Sequence, residues 1–315
     1  MHVLVTGGAG FIGSHSVELL LEANLPVRVL DNFSAGSRQN LPSHSLLDIQ
    51  VGDIRDDLAV HKAMEDITHV LHLAAQVSVQ GSVDNPPGSC STNIGGFVNV
   101  LQAARLFGVQ RMVYASSAAV YGRPTRLPLS EMDIAQPCSP YGLEKYVNDQ
   151  YAALFESEFG VSLLGLRYFN VYGPRQDPQS PYAGVISKFI SMIEQLQPLS
   201  VFGDGAQTRD FIFVEDVAKA NVQALQSKMT GVCNVATGSS VSLLYLIEVL
   251  SRCVNQPLEI VHQPAQAGDI PLSEANINRF RTLLDAGNLT NLENGLQLLL
   301  EATMKTCLNE SPSLG

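Results

Sequence analysis

Short β-branched runs alternate with helical apolar periodicity through the first half of the chain. His2–Thr6, Pro26–Asp31, Ile49–Gly52, His69–His72, Arg111–Ser116 and Ser162–Tyr168 read as strands. Phe11–Ala23, Leu58–Glu65, Thr92–Phe107 and Pro140–Phe159 read as the helices between or after them. Strand–helix alternation of this kind predicts parallel strands joined by right-handed crossovers. After Gly173 the pattern loosens at Pro174, Pro178 and Pro181. Helices then dominate: Gly184–Gln195, Val214–Gln226, Ser242–Asn255 and two more near the C-terminus. The predicted fold is α/β, a doubly wound parallel sheet over residues 1–170. A smaller mixed α/β lobe over 171–309 and a frayed tail at 310–315 complete it.

The junction between the first strand and helix is Thr6-Gly7-Gly8-Ala9-Gly10-Phe11-Ile12-Gly13. Glycines there let the backbone approach a pyrophosphate, and the helix N-terminus at Phe11 and Ile12 offers amide donors and partial positive charge. A lone glycine pattern is weak, but here a strand precedes it, a helix follows it, and Asp31 ends the next strand. A carboxylate at Asp31 can accept bonds from the adenosine ribose hydroxyls and would repel a 2′-phosphate. No basic residue follows before Arg38, so the predicted cofactor of this Rossmann-type domain is NAD. Asn32 follows directly, and Gly52-Asp53-Ile54 ends the third strand, where Asp53 and Ile54 can flank the adenine.

The second chemical signal is Ser139-Pro140-Tyr141-Gly142-Leu143-Glu144-Lys145. Ser139 caps the helix, Pro140 fits its first turn, and Tyr141 and Lys145, four apart, share one face. A tyrosine ionises near pH 10, too high for a base at neutral pH, and a nearby ammonium is expected to lower it. The pair then moves a proton on and off a hydroxyl or carbonyl oxygen. Ser116 and Ser117 lie where a parallel strand ends, on the ligand side of such a sheet.

Composition narrows the setting. The chain has 315 residues, 45% hydrophobic, with a net charge of −11. No basic stripe marks a nucleic-acid face, and no apolar run approaches the roughly 18 residues of a membrane span. Five scattered cysteines, never paired as C-x-x-C, predict a reducing, cytoplasmic compartment and neither a disulfide framework nor a metal site.

Together, TGGAGFIG at 6–13, Asp31, GDIRD at 52–56, HLAAQ at 72–76, SSAAVYG at 116–122, SPYGLEK at 139–145, LRYFNVYGPRQDP at 166–178 and GDGAQTRDFIFVEDV at 203–217 resemble the extended short-chain dehydrogenase/reductases, and among them the nucleotide-sugar epimerases. The resemblance runs from Met1 to about Leu284. It implies that Tyr141 is the acid/base, that Lys145 tunes it and holds the nicotinamide ribose, and that Ser117 bonds the reacting oxygen. It places Gly7, Gly10, Phe11, Ile12, Gly13, Asp31, Asn32, Asp53, Ile54, Leu73, Ala74 and Ala75 along the cofactor. It places Ser116, Ser117, Asn170, Arg209, Asp269 and Ser273 along a UDP-sugar, and it implies a homodimer built on the helices near 92–107 and 140–159.

Within that family, sugar dehydratases carry Asp-Glu where this chain has Ala118 and Ala119, and the decarboxylases carry a glutamate at the position of Ala119. Alanine moves no proton, so the resemblance favours reversible oxidation at one carbon: a UDP-hexose 4-epimerase. A 4-keto reductase or dehydrogenase is the alternative, and a non-catalytic NAD sensor a more distant one. Two departures stand out. Gln266 replaces the arginine that contacts the diphosphate, and a guanidinium's fork and charge go with it. Ser273 stands where glucose- and galactose-restricted epimerases often carry tyrosine, which implies room for a 2-N-acetyl group.

Overall fold

Val3–Thr6 (β1) is buried on both faces, as a central strand of a parallel sheet must be. In the computed structural model it pairs in parallel with Val27–Asp31 (β2) on one side, Val3 opposite Val27. The model describes residues 1–178, 184–265, 270–283 and 289–310, with side chains to Thr303. Asp269, Gln266, Leu284 and residues 311–315 of the expected tail lie outside the described residues.

Leu47–Val51 (β3) extends the sheet beyond β2. His69–His72 (β4) pairs on the other side of β1, followed by Arg111–Ser117 (β5) and Leu163–Tyr168 (β6). Asn170–Tyr172 (β7), Leu199–Phe202 (β8) and Thr208–Phe213 (β9) lie beyond this run. The chain then returns, and Gly231–Val235 (β10) closes the edge beside β6. The seven strands run β3-β2-β1-β4-β5-β6-β10, all parallel, with the order reversing between β1 and β4. That reversal opens a crevice at the carboxyl ends of the strands.

The helices are Phe11–Glu22 (α1), Asp57–Met64 (α2), Val79–Asp84 (α3), Pro86–Cys90 (α4), Phe97–Leu106 (α5), Pro140–Phe159 (α6), Val185–Glu194 (α7), Val214–Gln226 (α8), Leu243–Cys253 (α9), Asn278–Leu283 (α10) and Leu292–Glu310 (α11). Alternating strand residues feed two cores. Val3, Val5, Val29, Val113 and Leu166 pack on the face shared by α1 and α8, with Val17, Leu20, Val217 and Ala224. Leu4, Leu30, Val70, Met112 and Tyr114 pack on the opposite face, with Val60, Met64, Phe97 and Leu101 of α2 and α5.

The helix expected over Thr92–Phe107 begins earlier. From Pro86 it passes through one π-helical stretch, Ser91–Gly96, into α5. Asn85 caps α4 through Gly88 N, and Pro86 fills the first turn.

Past β6, α8, β10 and α10 pack with the large sheet, while most other elements form a second layer. Ser240–Ser242 (β11), β9 and β7 make a three-stranded sheet, and Ile260–Gln263 (β12) pairs in parallel with β8. Their core holds Phe189, Val201, Phe213, Leu246 and Leu250. No helix among the described residues is long and apolar enough to cross a membrane.

Candidate active site

The sequence-predicted residues collect at the carboxyl ends of the parallel strands. Gly7 follows β1 with φ +70°, and a Cβ there would stand 2.7 Å from the Ala74 nitrogen, so the loops after β1 and β4 touch only because Gly7 is bare. A Cβ on Gly13 would strike the Gly7 carbonyl oxygen. Gly10 is the N-cap of α1 and supplies no side-chain cap, which leaves the first-turn amides free for an anion. Asp31 is buried. Its carboxylate accepts from Ala9 N (2.9 Å) and from Phe33 N (2.8 Å), locking the glycine loop to the end of β2. Each oxygen keeps a further lone pair for a ribose hydroxyl.

Asn32 donates to Asp53 (2.9 Å), and the Arg55 guanidinium grips the same carboxylate at 2.7 Å. Arg55 holds the Asp53 carboxyl well below the usual carboxylate range. Ile54 is buried against Gly96. Leu73, Ala74 and Ala75 follow β4, partly buried at the same crevice. These residues fit a dinucleotide: bare glycine backbone, open helix amides and one ribose-reading carboxylate, with a small-residue floor between.

The acid/base group is built by α6 and the end of β5. Ser139 caps α6 by accepting from Gly142 N at 3.1 Å, and Ser82 of α3 accepts from Tyr141 N at 3.0 Å. Gly142 lets α6 approach the turn after β5, since a Cβ there would lie 2.6 Å from the Ala119 carbonyl oxygen. That turn is held by Ser117, whose hydroxyl accepts from Ala119 N at 3.1 Å. Lys145 Nζ donates to the Ala115 carbonyl at 2.9 Å and lies 5.9 Å from the Tyr141 ring centre.

The sequence expectation of a lowered tyrosine is corrected here. Burial pushes the Tyr141 phenol up, the Ser117 hydroxyl opposes this, and the Glu144 carboxylate adds to it. The stronger perturbation falls on the lysine: burial lowers Lys145 to about 8, against Asp149 and Glu144, which favour its charge.

Ser116 sits elsewhere than Ser117. It is buried at the end of β5, in register with Arg167 of β6, and its hydroxyl has no hydrogen-bond partner among the described residues. Arg167 pairs with Asp149 at 3.0 Å, both buried, and Tyr114 donates to Asp149 at 3.1 Å. This cluster fixes α6 to the sheet beneath the catalytic turn.

The sequence of the NAD dependent epimerase/dehydratase family matches residues 3–236. The chain belongs to this family. The UDP-glucose 4-epimerase of Mycolicibacterium smegmatis is 37% identical over 90% of this chain and 92% of its own. The UDP-N-acetylglucosamine 4-epimerase of Methanobrevibacter ruminantium, solved with UDP-N-acetylmuramic acid, superposes with a TM-score of 0.94 at 37% identity, covering 97% of this chain and 98% of that one. The Thermus thermophilus UDP-glucose 4-epimerase, solved with NAD, gives 0.88 at 34% identity, covering 96% and 99%. The chain is an NAD-dependent family member, and the glycine loop and Asp31 described above fit that cofactor.

The remaining predicted residues of this family member lie on β7, on β9 and in the segment 270–277. Asn170, at the start of β7, donates to the Asp210 carbonyl at 3.1 Å. Arg209 Nη1 donates to the carbonyls of Thr208 (2.8 Å) and Ile270 (2.6 Å). Asp210 accepts from Thr237 N, Thr237 Oγ1 and Gly238 N, at 2.8, 2.6 and 2.9 Å, and Asp216 pairs with Lys219. Ser273 is partly buried in a strap held at Pro271 by Thr208 N, at Ala275 by Asp210, and at Glu274 and Asn276 by Leu129.

Sequence reasoning missed Asp210, Asn93 and Glu144 as site-building residues. Glu144 could have been found: a carboxylate on the buried face of α6, between Tyr141 and Lys145, demands donors. Asn93 could not, because a π-helical turn leaves no periodic trace.

Proposed function

We propose that this protein is a UDP-hexose 4-epimerase acting through a transient 4-keto sugar, with tolerance for N-acetylhexosamines. The observation that carries it is the convergence of Ser117, Tyr141 and Lys145 at the end of β5, next to a turn whose side chains at Ala118 and Ala119 hold no acid. When bound, NAD supplies the acceptor and donor of the C4 hydride. Tyr141 takes the proton of the C4 hydroxyl and gives it back, Ser117 orients that oxygen, and Lys145 stabilises the phenolate and would hold the nicotinamide ribose. With alanine at 118 and 119, elimination or decarboxylation lacks the proton carrier that the lyases of this family hold there.

UDP as the nucleotide rests on the relatives, which are named as UDP-sugar epimerases. Arg209 and Asn170 are the candidates for the diphosphate and sugar, and the small Ser273 would leave space at C2. A homodimer is part of the same reading. α5 and α6 carry Leu106, Leu143, Tyr151, Leu154 and Phe159, all exposed, apolar surface that a second copy would cover. Four described cysteines are free thiols, which suits a cytoplasmic setting.

The test is incubation of purified protein with UDP-galactose and, separately, UDP-N-acetylgalactosamine, without added NAD, following the C4 configuration by NMR. Inversion of either supports an epimerase with retained cofactor. Stoichiometric NADH formation with a released 4-keto product would replace the epimerase by a dehydrogenase. No reaction with added NAD would overturn the proposal.

A further inference from the structure

Burying a carboxylate costs several kcal/mol unless donors replace its water, and α6 buries two. Asp149 is matched by Arg167. Glu144, 4% exposed, is matched by neutral donors: its Oε2 accepts from Ser89 Oγ and Asn93 Nδ2, each at 2.7 Å. Its charge is therefore not cancelled by the groups that hold it. Glu144 and Lys145 are both buried on α6, and Tyr141, partly buried, lies one turn before Glu144.

The same donors lead back to the cofactor side of the crevice. Asn93 Nδ2 also donates to the Gln76 carbonyl at 2.9 Å, and Asn93 Oδ1 accepts from Gln76 N at 2.8 Å. Gln76 follows directly on Leu73–Ala75, the stretch that Gly7 abuts. A continuous line of hydrogen bonds thus runs from the loop after β4, through the π-helical turn, to the catalytic helix. The Ser82–Tyr141 bond is a second tie to the same segment.

We propose that Glu144 is a positioning residue for the Tyr141–Lys145 pair, its buried carboxylate tying the Gln76–Asn93 segment to α6 and setting the charge balance around phenol and ammonium. A fixed negative charge opposes ionisation of a phenol and favours an ammonium. Both effects act here, upward on Tyr141 and upward on Lys145. The other charged or titratable groups around the pair are Asp149 with Arg167 and Tyr114 on the sheet side, and His72 at the end of β4. Glu144→Gln leaves all of them in place and keeps an oxygen for Ser89 and Asn93, so it removes charge and spares geometry.

The ionisation of Tyr141 is read by tyrosinate absorbance in the full chain, as the difference between each protein and its Tyr141→Phe counterpart. In Glu144→Gln, Tyr141 is expected to ionise roughly one pH unit lower than in the wild type. Ser89→Ala removes one donor that offsets the carboxylate's field, and is expected to shift the titration the opposite way. It also covers the case in which Glu144→Gln does not fold. A Tyr141 titration coincident with wild type in whichever variant folds overturns the proposal. The kinetic consequence, both limbs of the turnover pH profile moving down in Glu144→Gln, rests on the epimerase reading. A wild type without turnover would sink that reading, while the absorbance titration would still decide the role of Glu144.

Discussion

Lys145 Nζ donates to the Ala115 carbonyl at 2.9 Å, so the end of β5, which carries Ser117 two residues on, and the helix that carries Tyr141 are fixed to each other by this lysine. The lysine has a mechanical task as well as an electrostatic one. Burial lowers Lys145 to about 8. Below that pH the ammonium supports phenolate formation at Tyr141; above it the support is lost. The turnover profile is expected to fall on its alkaline side near pH 8. Lys145→Met should lower kcat by about 100-fold or more, with the alkaline limb erased, while circular dichroism stays native. Tyr141→Phe should abolish turnover with the fold retained.

Gly142 sets the distance between Tyr141 and the Ser117 turn. A Cβ at 2.6 Å from the Ala119 oxygen meets backbone, which cannot rotate away. Gly142→Ala is therefore expected to push α6 off the turn, with a stability loss of about 1–3 kcal/mol and a larger fractional loss of kcat. Thermal unfolding and steady-state kinetics on the same preparation check it. Full activity would show that the two elements need not be in contact.

Much of this site was legible in the sequence. The glycine loop, Asp31 and the Tyr141–Lys145 face are local signals: a turn, a strand end and a helical spacing. The six front strands were legible as short β-branched runs, most of them separated by helical periods. What stayed hidden depends on contacts distant in sequence. β10 is GVCNV, whose Gly231 and Asn234 interrupt the apolar run, and only pairing with β6 defines it. α3 and α4 lie in a stretch that holds Gly, Asn and Pro, and local caps from Ser78 and Asn85 start them. The direction of the Tyr141 shift was missed because helical spacing gives a neighbour's position but not the burial of the group itself.

His72 carries a pH dependence of stability. It is buried at the end of β4, bonded to Thr6 Oγ1 at 2.8 Å and packed on the Phe97 ring at 5.5 Å. Burial, with a smaller contribution from Lys145, lowers it from 6.5 to about 3. Between those values the unfolded chain binds a proton that the folded chain refuses, so stability drains away as pH falls below 6.5. His72→Asn should flatten the fall of Tm between pH 6.5 and 4 relative to wild type. An unchanged slope would assign acid sensitivity to other groups.

The apolar face of α5 and α6 makes the assembly testable. Leu143 and Leu154 are 52% and 58% exposed, three helical turns apart. If a second copy covers them, Leu143→Glu with Leu154→Glu buries two unpaired charges in each half of the interface and is expected to yield monomers. Light scattering after size exclusion distinguishes the outcomes. A wild type that is already monomeric would remove the homodimer from the proposal.

Ser273 offers a specificity test whose sign is fixed by volume. The residue is partly buried in the strap that Thr208, Asp210 and Leu129 hold across the second layer. Backbone bonds and the Asp210 carboxylate carry that strap, so a larger side chain at 273 changes the space in front of it without releasing its anchors. Ser273→Tyr is expected to lower kcat/KM for UDP-N-acetylgalactosamine while UDP-galactose is spared. A hydrophobic or steric mismatch of one small group is worth about 1–3 kcal/mol, so the ratio of the two specificities should move by roughly 10–200-fold. Equal losses on both substrates would mean that the tyrosine disturbs the site generally. No change on either would place Ser273 away from C2 and return the N-acetyl tolerance to an open specificity determinant elsewhere in the crevice.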